Sequence, residues 1–485
     1  MNTIQRIAKN TAILLAADII SKVLGFFYVM YTARYLEAEG FGILSFALAF
    51  TGIFGVFIDL GLSPLTVREV ARDKSLAKKY LNNISVIKTI LVTITFALIV
   101  IVINLLGYPE QTIKVVYLIS LSVVFNSFTG MFYSIFQAFE KMEYQSLGQI
   151  LSSILMLVGA LFAISRGFSV IGFASIYFIV SVIALGYSFA VFVWKFTLPK
   201  LEVDWSFWKP TIKEALPFGL TGAFITIYLW IDSVMLSLMK GDEVVGWYNA
   251  AYKIILILLF IPSAFNSAVF PLMSQFYVSS KDSLKFMFEK HFKYMIIIGF
   301  PIGIGITLLA DRIVLLIFGV EYIPSVIALQ ILTWAIVLIF ARTAFERVLE
   351  SANRQVIVTK VFGGCTLLNV ILNLILIPKY SYIGAAVATL ITDFSVFVII
   401  FVWSLKIGYS IPNKQLIKII SKVISASLLM GVFIEYFKDQ NLFMLVFTAV
   451  IVYFGIILLI KGLDKDDIRL FKKLFVKKEV SSSDL

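Results

Sequence analysis

The sequence predicts an all-α, polytopic membrane protein with about 14 transmembrane helices. Three observations predict that class. Of 485 residues, 60% are hydrophobic and 14% charged, where a soluble chain carries roughly 45–50% apolar and about 25% charged residues. The mean hydropathy is +0.97. Apolar runs of about 18 residues or more, long enough to cross a bilayer core, recur along the chain.

The first six spans fall near 10–34, 41–62, 84–106, 113–138, 147–165 and 169–194. The next six fall near 215–239, 247–273, 294–318, 325–346, 359–378 and 382–405. The last two lie near 416–437 and 441–461. Short stretches rich in Gly, Pro and charge separate them, among them LGYPEQ, SRGFS, MKGDEVVG and IPKYSY. The first run is too long for the core of a cleavable signal peptide and is read as a helix of the fold.

Lysine and arginine set the orientation. With the N-terminus inside, roughly 30 of the 41 Lys and Arg fall in inner segments and about seven in outer ones. Both termini are then cytoplasmic, in the cell membrane. The basic tail, KGLDKDDIRLFKKLFVKKEV, reads as an amphipathic helix lying on the bilayer. The net charge of +12 points to topology and anionic headgroups, since the basic residues sit between apolar runs. No nucleic-acid partner is implied.

The chain also repeats itself. EGFGILSFALAF, after the first span, resembles EVVGWYNAAYKI, after the seventh, with Gly42 and Gly246 204 residues apart. SVIGFASIYFIVS and SYIGAAVATLITD match likewise, with Gly172 and Gly384 212 apart. Six spans per copy make a parallel repeat. The expected architecture is two six-helix bundles, 1–200 and 201–410, around a central cavity. Residues 411–485 add two further helices and the tail.

Charges inside spans need a reason, because each costs about 2.5–3.5 kcal/mol at the bilayer centre. Arg34 lies near the outer end of the first span and can snorkel. Arg342 has Glu346 one turn on, and Asp59 can bond the backbone of the turn after it; all three are read as structural. Lys22 lies halfway through the first span, with Asp18 four residues earlier on the same face. Two readings stand: a self-neutralising pair, or a wet cavity wall in which Asp18 orients Lys22. Asp232 and Lys253, on the seventh and eighth spans, are placed at one depth and expected to pair. Asp393, near the middle of the twelfth span, is a candidate proton or coupling-ion site. Asn369 and Asn373 are expected to join helices.

The chain has one cysteine, Cys365, and therefore no internal disulfide. The one histidine, His291, reads as a plain residue of a basic loop. No ligand cluster suggests a metal, no P-loop suggests ATP, and no nucleophile constellation suggests an enzyme. No cofactor is implied. The chemistry left is transport, with positive charge at mid-depth suited to phosphate.

ARYLEAEGFGILSFALAF and DLGLSPLTVREVARD, within Ala33–Asp73, resemble the N-terminal signature of the polysaccharide transporter family. WIDSVMLSLMKGDEVVGWYNAAYKI resembles its helix 7–8 segment. These are the O-antigen and oligosaccharide-lipid flippases of the multidrug/oligosaccharidyl-lipid/polysaccharide exporter superfamily. The resemblance implies alternating access for a polyprenyl-diphosphate oligosaccharide, with membrane lipids and glycan-assembly machinery as partners. It implies that Lys22 holds the diphosphate, with Lys253 a weaker candidate, and that the polyprenyl tail stays in lipid. SKVLGF, from Ser21, also resembles lipid II flippases, in which a basic residue at the position of Lys22 faces the cavity. Phe27 and Tyr28 stand where those carry further charges, which counts against lipid II as cargo. Two further alternatives are a cation-coupled multidrug efflux antiporter, which would want acidic groups dominating, and a non-transporting scaffold, which would have no use for mid-membrane charge.

Overall fold

The computed structural model describes residues 3–196, 202–409, 413–463 and 467. Among these residues, twelve helices are long and apolar enough to cross a bilayer. The first seven helical elements are α1 (Thr3–Asp59), α2 (Leu62–Arg72), α3 (Ala77–Leu105), α4 (Glu110–Ala138), α5 (Met142–Ser165), α6 (Val170–Lys195) and α7 (Trp205–Lys240). The remainder are α8 (Asp242–Leu258), α9 (Phe260–Ser279), α10 (Lys281–Ile317), α11 (Ser325–Ser351), α12 (Gln355–Lys406), α13 (Asn413–Tyr436) and α14 (Leu442–Leu459).

Two expected loops are absent. The first and second predicted spans run together as α1, interrupted at Glu37 (φ 57°, ψ −175°). The eleventh and twelfth run together as α12, interrupted at Ser381 (φ 54°, ψ −137°). At each place a single residue in the left-handed half of φ/ψ space turns the chain. The eighth predicted span is interrupted at Leu259, between α8 and α9. The turns at LGYPEQ, SRGFS and MKGDEVVG fall where the sequence puts them. Of the tail only residues 461–463 and Asp467 are described, so the expected amphipathic tail helix lies outside the described residues.

The chain forms two compact units. The first comprises Met1–Phe260, Val314–Leu332 and Val356–Val396. Its core includes Leu62, Tyr80, Phe132, Phe136, Phe192 and Trp208. Asp204 caps α7, accepting from the backbone of Ser206 and Phe207, and pairs with Lys79 at 3.0 Å. Proline inside membrane helices, here Pro210 and Pro217 of α7, is tolerated where neighbouring groups re-satisfy the backbone.

In this unit α1 packs against α8 through two close approaches. A Cβ placed on Gly42 would lie 1.7 Å from the carbonyl oxygen of Asp242, and one on Gly246 2.0 Å from that of Ala38. Gly42 and Gly246 are 204 residues apart, and so are Ala38 and Asp242. The two contacts are therefore reciprocal, joined by a single offset. Glu37 and Gly241 share the same offset, and Gly241 (φ 92°, ψ 173°) repeats the backbone of Glu37.

The second unit comprises Ile261–Ile313, Thr333–Gln355 and Phe397–Leu485. Phe288 and Phe292 both meet the Phe345 ring edge-on in its core. Gly431 of α13 sits against Ile304 and Leu308 of α10. The Tyr453 hydroxyl of α14 donates to the Ile297 carbonyl at 2.8 Å. Arg342 and Glu346 pair at 2.9 Å, buried. His291 is not in a loop: it lies in α10, fully buried, with its ring 4.8 Å from that of Phe265. The polar spacing around it marked a loop, but α10 extends apolar packing back over that segment.

Candidate functional site

Asp18 and Lys22 are one helical turn apart, and their charged atoms meet at 2.7 Å. Their side chains are 47% and 38% exposed. A pair this open is worth roughly 0–1 kcal/mol, so it does not explain a lysine at that depth by stability. Lys22 Nζ also stands 4.7 Å from the centre of the Phe260 ring, a cation–π distance.

Asp18 and Ser21 line a cavity of about 300 Å³ with Asn126, Thr129, Tyr133, Gln149 and Ser152. Apart from Asp18 these polar groups are neutral hydroxyls and amides, which both donate and accept. The Ser21 hydroxyl is buried and makes no hydrogen bond among the described residues. A neutral, hydroxyl-bearing ligand suits this lining, and Lys22 adds one positive charge a turn away.

The expected Asp232–Lys253 pair is not formed. Asp232, 5% exposed, accepts from the Tyr248 hydroxyl at 2.6 Å, the Thr389 hydroxyl at 2.6 Å and the Asn373 amide at 2.5 Å. Lys253 stands instead over the Trp230 ring, 5.2 Å from its centre. The register explains the difference. α7 ends at Lys240 and α8 begins at Asp242, so the residue level with Asp232 is near 250. Lys253 is about one turn deeper, at about 1.5 Å of rise per residue. Asn249 facing Ser233 at 3.0 Å fixes the same register.

Asn373 also donates to Asn369 at 3.0 Å, so these asparagines tie α12 to α7. Asp393 is 1% exposed and one turn beyond Thr389, and both it and Asp232 act electrostatically on Tyr252. No group of three or more His, Cys, Asp or Glu side chains is assembled among the described residues.

Arg34 does not reach for solvent alone. Its Nε donates to the Ile317 carbonyl at 2.9 Å and a second nitrogen donates to the Leu316 carbonyl, capping α10. Asp59 accepts from the Ser63 backbone at 3.3 Å, as expected. It also pairs with Lys88 at 2.8 Å, a residue the sequence reading passed over. Lys88 is 1% exposed and donates further to the Ser63 hydroxyl and the Ser127 carbonyl. Its signal was present: a lysine in the second turn of an apolar run, with an aspartate closing the run before it.

Known proteins resemble this chain. The profile of the polysaccharide biosynthesis protein family matches residues 7–277, and that of the MatE family matches 217–375. The uncharacterized membrane protein MJ1068 of Methanocaldococcus jannaschii is 29% identical over 50% of this chain and 47% of its own length. The capsular polysaccharide biosynthesis protein CapF of Staphylococcus aureus is 24% identical over 80% of this chain and 96% of its own. The probable low-salt glycan biosynthesis flippase Agl15 of Haloferax volcanii is 24% identical over 79% and 80%. Among solved structures, the lipid II flippase MurJ in an inward closed conformation superposes with a TM-score of 0.76, covering 94% of this chain and 99% of that one at 18% identity. That likeness carries the fold.

Proposed function

The chain belongs to the polysaccharide biosynthesis protein family, and from that premise we infer that it is a flippase carrying a lipid-linked oligosaccharide, precursor of a cell-surface polysaccharide, across the cytoplasmic membrane. It is a transporter and not an enzyme. The cargo is a polyprenyl-diphosphate glycolipid. Its phosphate binds at Lys22, and the sugar nearest the phosphate enters the hydroxyl- and amide-lined cavity beside Asp18.

The observation that carries this reading is the exposed Asp18–Lys22 pair at the edge of a polar cavity. Lysine in lipid would be costly, so an open lysine here implies water and a ligand. Because the pair is weak, a phosphate displaces Asp18 at little cost. Lys253, held over Trp230, is a secondary cation for the cargo. Asp393 and the Asp232 cluster are assigned to proton or cation coupling.

Dividing α1 at Glu37 and α12 at Ser381 turns twelve candidate helices into fourteen passes, with both termini cytoplasmic by the positive-inside rule. The reciprocal Gly42 and Gly246 contacts support bundles 1–200 and 201–410 as copies of one unit. A multidrug antiporter is the second reading, favoured by the MatE match over residues 217–375. Lys22 separates the two, since it would repel a cationic drug.

Mass spectrometry of lipids co-purifying with the wild type and with Lys22→Gln tests the reading. The expected result is a polyprenyl-diphosphate sugar enriched in the wild type and lost in the variant. Equal recovery from both would remove Lys22 from the site.

A further inference from the structure

The second unit holds a cavity of its own, of about 390 Å³, between the last turns of α9 and the end of α11. Small-ligand pockets run from about 300 to 1,000 Å³. One wall is Phe270, Ser274 and Tyr277 of α9. Spaced by four and then three residues, they share one face of that helix. The other wall follows from how α11 stops. Asn353 takes a φ of 58°. Its N–H donates to the Glu350 carbonyl at 3.1 Å, and the Arg354 N–H donates to the Leu349 carbonyl at 2.9 Å. This is a Schellman closure, and asparagine is one of the few residues that accept its left-handed backbone. It sets Glu350, Ser351 and Asn353 against the cavity.

The lining selects a ligand by elimination. Glu350 alone among the lining side chains is charged, and a carboxylate repels anions. Arg347 already engages its Oε2 at 2.6 Å, so a cation meets a charge that is neutralised. The Arg347 guanidinium also rests over the Phe270 ring, 5.5 Å from its centre, and so belongs to the wall. A neutral ligand remains, offered hydroxyls and an amide that both donate and accept. Ser351 shows that the site wants one. It is 6% exposed, yet its hydroxyl has no hydrogen-bond partner among the described residues. Other helical hydroxyls here bond back to the carbonyl one turn earlier, as Ser85 does to Leu81 and Ser134 to Gly130. A buried hydroxyl left unpaired is costly unless a ligand completes it.

We propose that this cavity is a carbohydrate site, in which Glu350, Ser351 and Asn353 hydrogen-bond the hydroxyls of one neutral pyranose while Phe270 and Tyr277 pack on its C–H face. Lys281 and Lys285 follow α9 and Arg354 follows α11, so the positive-inside rule opens the cavity to the cytoplasm. The site belongs to the second unit and does not depend on Lys22. Its sugar is either free or carried on the glycan of a transported lipid.

The test is saturation-transfer NMR of the full chain in detergent. The probes are the methyl glycosides of glucose, galactose and mannose, and N-acetylglucosamine. At least one should bind the wild type, and Ser351→Ala should weaken it about five- to tenfold, the scale of one hydrogen bond. That hydroxyl has no partner in the fold to lose, so the variant should keep the wild-type melting temperature. Ser274→Leu fills the cavity from α9 and should abolish binding; the Ser351→Ala arm stands if that variant fails to fold. Flipping by Ser351→Ala in reconstituted vesicles tells the sources apart. Slowed flipping assigns the site to the glycan of the cargo, and wild-type flipping assigns it to a soluble sugar. The titrations hold whether or not Lys22 binds a phosphate. Sugar binding lost in Lys22→Gln but kept in Ser351→Ala overturns the proposal. So does a preference for choline or phosphate over every sugar, or no sugar binding by the wild type.

Discussion

Replacing Gly42 or Gly246 by alanine puts a methyl group where no atom fits. The Gly42 Cβ would lie 1.7 Å from the Asp242 oxygen and 2.6 Å from its carbon, and the Gly246 Cβ 2.0 Å from the Ala38 oxygen. An ordinary carbon–oxygen contact is over about 3 Å, so α1 and α8 must part by about 1 Å or more, and neither obstacle is a side chain that can swing away. Overpacking of this kind costs about 1–3 kcal/mol. The cost falls only on the state in which the hairpins touch. At about 2 kcal/mol, the equilibrium shifts roughly 30-fold toward a state in which they do not. Labelling kinetics read this directly. In a Cys365→Ser background, a thiol at Ser45, buried one turn from Gly42, should react roughly 30-fold faster once Gly246→Ala is added. Transport should slow in both alanine variants, because the cycle must pass through the closed contact. The two effects should not add, since the sites share partners. Unchanged labelling together with unchanged transport would refute the idea that this contact opens and closes.

Lys22→Ala should abolish flipping in a reconstituted vesicle assay at normal expression, while Lys22→Arg keeps part of it; wild-type flipping by the alanine variant would contradict the cargo site. Glu37→Gly should raise the melting temperature, because Gly241 has that backbone already and a non-glycine residue there is strained by about 1–3 kcal/mol; a lower melting temperature would deny the strain. Lys88→Met should cost about 1–3 kcal/mol by leaving the part-exposed Asp59 with Ser63 alone, with Asp59→Asn restoring part of it in a double-mutant cycle. Asp232→Ala should lower thermal stability by orphaning Tyr248, Thr389 and Asn373, whereas Lys253→Met should do much less. A rescue of the two charge reversals by each other would contradict the structure.

The apolar spans and the short turns between most of them were legible in the sequence because each rests on local periodicity or composition. Gly42 and Gly246 were picked out by their equal offset, though not their reciprocal contact, which needs backbone coordinates. The loopless turns at Glu37 and Ser381 were not legible, because neither residue is one that usually adopts positive φ. The Asp18–Lys22 pair was visible, being a one-turn relation. The partners of Asp232 were not: Asn373 and Thr389 are 141 and 157 residues away, and Lys253 missed by a single turn of register. Lys88 was overlooked because a lysine near a helix end reads as a boundary until its burial is known.

The turn at Glu37 leaves no slack. The part of α1 that carries Lys22 and the part that carries Gly42 meet at one residue, with no linker to absorb a twist. Rotation of the first about its axis is passed to the second through a single pair of dihedrals, like a crank. A pull on Lys22, about 22 Å from that corner at helical rise, is thereby geared to the contact between α1 and α8. An inserted flexible segment at Glu37 would uncouple the two while leaving each of them intact.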